Sequence, residues 1–297
     1  MTIVVGVAPN QRGHAALNLA AVLARSSGEP LVVCAVIPTG WGPQWLRASG
    51  PDLHYLDEAA EDALEQARAH LPADITVQVA AQRARSVASG LAEIAERHRA
   101  TALVLGSART GMIGHIALSS VADRLLHSST VPVALAPRGF RAGTGTPRIV
   151  RVTVAYDGSE QAEHFVRAAD AIAAAMQAKL RLASFAVQLP PPATARMNRA
   201  DEGVMDEWTG RIRASVESLY PPGPAGSSTA PEFVVGYSHD WAGAIENIDW
   251  EPTGELLVLG SSHAEPLERV FLGTHASKII RQSPVPVLAL PGPALTS

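Results

Sequence analysis

Val131-Pro-Val-Ala-Leu-Ala-Pro137 and Val285-Pro-Val-Leu-Ala-Leu-Pro291 are two copies of one short apolar strand. At the same offset, Leu103-Val-Leu-Gly-Ser107 matches Leu257-Val-Leu-Gly-Ser261. Near the start of each half, the run Ile3 to Val7 ahead of Ala8-Pro9-Asn10 matches Val152 to Tyr156 ahead of Asp157-Gly158-Ser159. The offset there is slightly smaller, which implies loop insertions in between. Self-similarity on this scale means two copies of one fold, and a chain of 297 residues has the length of about two ordinary domains. The stretch 138–147 is rich in Gly, Thr and charge, as an exposed connection is. It divides the chain into repeat one, residues 1–140, and repeat two, residues 148–297.

Each copy alternates short Val- and Leu-rich runs with helical stretches, the pattern of βαβ units around a parallel sheet with helices on both faces. In repeat two the strands are expected near 149–156, 180–187, 232–236, 255–259 and 285–290. The stretch Glu163 to Met176 carries Phe165, Val166, Ala169, Ile172, Ala173 and Met176 at helical spacing. A second helix, Asp201 to Leu219, follows a Pro-rich loop at 190–192, and its counterpart Pro51 to His70 follows Trp41-Gly-Pro-Gln-Trp45. Those tryptophans read as packing a loop onto the body rather than as a lid. Pro132 and Pro286 sit between valines in the last strand of each copy. Proline gives nothing to a ladder, so these strands are expected at an edge or paired on one side only. Pairing them with each other would join the halves into a pseudo-twofold unit, since an apolar edge must be covered.

A 47% hydrophobic content with 18% charged residues is that of a compact globular chain, not a disordered one. The net charge of −4 leaves no broad basic surface to displace counterions, so nucleic acid is not expected as a partner. The opening run is too short to span a bilayer and has no basic leader, so no membrane contact and a cytoplasmic location are expected. Cys34, alone of its kind, lies within an apolar run and reads as a buried structural thiol. His14, His115, His127, His239 and His275 have no metal-ligand spacing, so no metal site is expected.

Chemistry concentrates in Leu259-Gly-Ser-Ser-His-Ala-Glu-Pro-Leu-Glu-Arg-Val-Phe-Leu-Gly-Thr274, which runs from a strand end through a loop into a helix that reaches about Arg281. At the carboxyl end of a parallel strand, Gly260 lets backbone approach a ligand closely. Gly273 and Thr274 open a helix whose free N–H groups favour an anion. Taken alone this spacing is common. Lys278 and Arg281 read as ordinary partners of the helix dipole.

The whole arrangement resembles the universal stress protein family, whose ATP-binding members carry G-x2-G-x9-G-[S/T] between the fourth strand and the last helix. The resemblance covers nearly the full chain, twice, and includes Asp157-Gly-Ser, Leu180 to Val187, Val234-Val-Gly236, Leu259-Gly260, Gly273-Thr274 and Ser283-Pro-Val-Pro-Val287. It implies two tandem α/β domains, each a five-stranded parallel sheet flanked by helices, paired through their last strands as an intrachain pseudo-dimer. A further homodimer of whole chains stays open. It implies an adenine nucleotide as ligand, ATP with or without Mg. Residue by residue, it places Asp157 at the adenosine and Phe185 beside the base. Leu259 and Gly260 fall beneath the ribose and phosphates, and Gly273, Thr274 and His275 at the phosphate chain.

Two departures qualify this. His263 stands where the motif has its second glycine, and it either fills phosphate space or, protonated, pairs with phosphate. In repeat one, Ala8 replaces the acid, Arg109 the second glycine and Ser119-Ser120 the Gly-Ser pair, so that site reads as degenerate and the repeat as scaffold. The leading expectation is therefore a stress-response or signalling module that binds ATP mainly in repeat two. A protein that acts through interactions without nucleotide stands second. A weak ATP hydrolase stands third, because Glu265 and Glu268 are the nearest carboxylates and no triad surrounds Ser159, Ser261 or Ser262.

Overall fold

The computed structural model describes residues 1–8, 14–39, 51–187, 200–221, 230–260 and 274–292. The Trp41 to Trp45 and 190–192 loops lie outside them. Repeat one runs β1 (Thr2–Val7), α1 (Ala15–Ser27), β2 (Leu31–Pro38), α2 (Pro51–His70), β3 (Val77–Ala84), α3 (Val87–Arg97), β4 (Ala100–Gly106), α4 (Ser120–Ser128) and β5 (Val133–Ala136). Repeat two follows with β6 (Arg151–Ala155), α5 (Glu160–Met176), β7 (Lys179–Val187), α6 (Ala200–Leu219), β8 (Glu232–Ser238), α7 (Trp241–Glu246), β9 (Glu255–Gly260), α8 (Thr274–Gln282) and β10 (Val287–Leu290).

The strands form one sheet in the order β3-β2-β1-β4-β5-β10-β9-β6-β7-β8. Every neighbouring pair is parallel except β5 and β10, which run antiparallel with Leu135 opposite Val287 and Val133 opposite Ala289. The last strands thus pair with each other, but each also pairs with its own repeat, so neither is one-sided. The prolines explain how: Pro132 and Pro286 stand just before the ladder and use only their carbonyls, which accept from Leu103 N at 2.8 Å and Leu257 N at 2.9 Å. Gly236 likewise does not close the third strand, since β8 continues to Ser238. A Cβ there would lie 1.9 Å from the carbonyl oxygen of Ala244, so glycine is needed to let α7 pack against the strand.

Period-two alternation divides the strands between two cores. Ile3, Val5, Val152 and Val154 face α1, α2, α5 and α6, while Val4, Leu103, Leu257 and Leu259 face α3, α4, α7 and α8. Both cores draw on both repeats. Ser26 Oγ also accepts from Ile149 N at 2.8 Å across the junction. Cys34 is fully buried, and burial pushes its thiol up to about 12, as expected of an inert structural cysteine. No described helix is long and apolar enough to cross a membrane.

Repeat two also holds a buried ion-pair network drawn from three strands. Glu255, at the start of β9, is fully buried and meets Arg181 at 2.6 Å and Arg151 at 2.7 Å. Arg181 also donates to Thr153 Oγ1 and the carbonyl of Asp249, and its guanidinium lies 5.3 Å from the Trp250 ring centroid. Burial pulls the Arg181 pKa down against the pull of Glu255, whereas the hydrogen bond to Glu255 raises that of Arg151. Removing one partner leaves a buried charge uncompensated. Glu255→Gln is expected to cost about 3–5 kcal/mol in denaturant unfolding; a loss below about 1 kcal/mol would show that the network carries little.

Candidate functional site

In each repeat the chain first builds outward through its first three strands, then returns to lay the fourth on the other side of the first. The carboxyl ends of the first and fourth strands therefore flank a crevice at the point where the strand order reverses, the usual ligand position in open α/β sheets. In repeat two this crevice is a cleft of about 340 Å³. Asp157, Phe185, Leu259, Gly260 and His275 all line it. Thr274 is the first residue of α8, whose first turn borders the cleft through His275 and Ala276. His263 and Gly273 lie outside the described residues.

Asp157 is exposed and follows the end of β6. Its Oδ1 accepts from the Ser159 backbone N–H at 3.0 Å and the Ser159 hydroxyl at 2.7 Å. Ser159 Oγ in turn accepts from Ala162 N at 3.1 Å and caps α5. Gly158, at φ +82°, makes the turn between them, and its missing Cβ leaves room for Ile212 of α6. One carboxylate oxygen is thus fixed by the turn, and the residue lines the cleft.

Gly260 is glycine for a packing reason. A Cβ there would lie 2.0 Å from Cδ2 and Cε2 of Phe165, so the ring from α5, rather than a ligand, takes that volume. Tyr156, Phe165 and Trp241 also line the cleft and were not anticipated there. Tyr156 is buried, pairs through its hydroxyl with Ser215 Oγ at 2.5 Å, and has its pKa raised by that burial. Trp241 opens α7, and its ring centroid is 5.0 Å from that of His275. Lys278 is not merely a dipole partner: its Nζ stands 5.7 Å from the Trp241 centroid.

The crevice of repeat one, about 320 Å³, is differently lined, with Val7, Ala8, Leu105, Gly106, Ser107 and Arg109 among its walls and no aromatic among the described residues. Its loop closes on itself. Ala108 N donates to the Ala117 carbonyl at 2.7 Å, Ala117 N to Ser107 Oγ at 2.8 Å and Gly114 N to the Arg138 carbonyl at 2.9 Å. Ser119 caps α4 by accepting from Ala122 N. The backbone donors of Ala108, Gly114 and Ala117 are thus used within the protein. Val7 stands where repeat two has Tyr156, and a second cavity of about 220 Å³ opens there between β1, α1 and α2. Among the described residues no cluster of three or more His, Cys, Asp or Glu could hold a metal ion.

The model of the universal stress protein family matches residues 1–137 and again 149–291. The chain belongs to the universal stress protein family. A universal stress protein of Mycobacterium tuberculosis is 35% identical over 299 residues, covering 98% of this chain and the whole of the relative. A universal stress protein structure from Archaeoglobus fulgidus has 20% identity and a TM-score of 0.56, with 98% of each chain covered, which supports the tandem fold. A universal stress protein from Archaeoglobus fulgidus in complex with dAMP has 24% identity and a TM-score of 0.35, covering 46% of this chain and 97% of that one.

The contact of Phe165 with Gly260 yields a direct test. Gly260→Ala in this universal stress protein is expected to lose about 1–3 kcal/mol of stability by overpacking. Adding Phe165→Leu should restore part of that loss in the double variant. Denaturant unfolding of the single and double variants checks this; simple additivity of the two losses would refute the contact.

Proposed function

We propose that this universal stress protein is a nucleotide-responsive module that binds one adenine nucleotide, ATP in the first instance, in the cleft of repeat two. The observation that carries this reading is convergence. Asp157, Phe185, Leu259, Gly260 and His275, drawn from four separate stretches of sequence, border one crevice at the switch point of the sheet. The cleft's chemistry suits a ligand with a flat apolar end and an anionic end. Phe185 and Trp241 offer apolar ring surface, Asp157 an acceptor for ribose hydroxyls, and the start of α8 a positive dipole end for phosphate. ATP with or without Mg fits that donor set. Repeat one acts as scaffold: it lacks the acid, and the loop N–H groups of Ala108, Gly114 and Ala117 are engaged internally. We assign no catalytic step to the protein.

Isothermal titration of the purified chain with ATP should give one site per chain. Asp157→Asn keeps an oxygen for the Ser159 turn but removes the charge offered to ribose, and should weaken ATP about tenfold. Mass spectrometry of small molecules released from the purified protein should recover an adenine nucleotide. Absence of binding at millimolar ATP would refute the proposal, and two sites per chain would refute the assignment of repeat one.

A further inference from the structure

Trp241 belongs to none of the motif positions that mark the family, yet it occupies a defined place at the cleft. It is the first residue of α7, the helix that follows β8, and the equivalent helix α3 begins with Val87, which lines the crevice of repeat one. Both are preceded by a capping side chain, Ser86 in one repeat and Asp240 in the other. The two repeats therefore present, at one backbone position, an aliphatic side chain to one crevice and an indole to the other.

The indole is held in place from several directions. Asp240 accepts from Gly243 N at 2.7 Å, which fixes the first turn of α7. A Cβ on Gly243 would lie 2.3 Å from Ser238 Oγ, so that turn sits hard against the end of β8. His275 and Lys278 are three residues apart on α8 and share one side of that helix. The imidazole reaches the indole at a 5.0 Å centroid distance with 35° between planes, and the ammonium lies 5.7 Å from the ring centroid. An aromatic side chain braced in this way loses little further freedom when a ligand stacks on it. Phe185 lines the same cleft from β7, so the apolar end of a ligand finds ring surface from two elements.

We propose that Trp241 is a specificity-determining residue of the repeat-two cleft: a platform on which the purine base stacks, braced by His275 and Lys278. This rests on the nucleotide-binding reading of the cleft. Stacking grows with the area of the base, so the platform favours a purine over a pyrimidine nucleotide, and its removal lowers selectivity as well as affinity.

Titration calorimetry of the full chain with ATP and CTP tests this. The wild-type chain is expected to prefer ATP. Trp241→Val installs the residue that repeat one carries at this position, and it should weaken ATP about tenfold and CTP less, drawing the two affinities together. Trp241→Phe should keep most of both affinity and selectivity. Equal loss for ATP and CTP in Trp241→Val, or unchanged ATP binding in that variant, overturns the platform while leaving the nucleotide reading intact. Failure of the wild-type chain to bind ATP overturns the nucleotide reading and the platform with it.

Discussion

The short antiparallel ladder between β5 and β10 is the constraint on which the rest of the molecule depends. Each five-stranded half, taken alone, would end in a strand of Val, Ala and Leu that is now buried on both faces. An edge of that composition in water invites non-specific pairing. Joining the two edges removes both, and makes each core continuous from one repeat into the other. The helices then pack on a surface that neither repeat completes by itself, with α1 and α5 meeting across the junction. The prolines ahead of the two strands fit this role, because they terminate the preceding loop without taking a donor from the ladder.

On this shared scaffold the two crevices have diverged by a handful of side chains. Tyr156 against Val7, Asp157 against Ala8 and Trp241 against Val87 change an aromatic, hydrogen-bonding cleft into an aliphatic one. The change reaches the backbone too. In repeat one the loop after β4 is folded back on itself through Ser107, Ala108 and Ala117. None of these differences alters the strand order, which is set by the alternating apolar residues facing the two cores. The site chemistry and the fold are carried by different residues, so one could drift while the other held.

The fold was legible in the sequence because its signals are periodic and repeated: the two Leu-Val-Leu-Gly-Ser runs and the two Val-Pro-Val runs each found the same place twice. Five candidate site residues proved to be neighbours for the same reason, since strand ends and helix starts are fixed by that pattern. What escaped was tertiary. Nothing local marks Phe165 as the neighbour of Gly260, because its helical spacing identifies only a buried face. Glu255, Arg181 and Arg151 come from three strands adjacent in space but far apart in sequence, so their pairing is invisible until the strand order is known. Trp241 had a local signal, an aspartate cap directly after a strand, but a lone tryptophan reads as readily as packing. The last strands were misjudged as one-sided because Pro132 and Pro286 were counted inside the ladder rather than just before it.

The antiparallel sense of the β5–β10 junction has a consequence for how the molecule presents itself. Parallel strands within a half share one direction, and the junction reverses that direction between halves. The carboxyl ends of the strands, and with them the two crevices, therefore point in opposite senses along the strands. Because Asp157 and Trp241 line one crevice where Ala8 and Val87 line the other, the chain has a front and a back, unlike a symmetric pair of identical subunits.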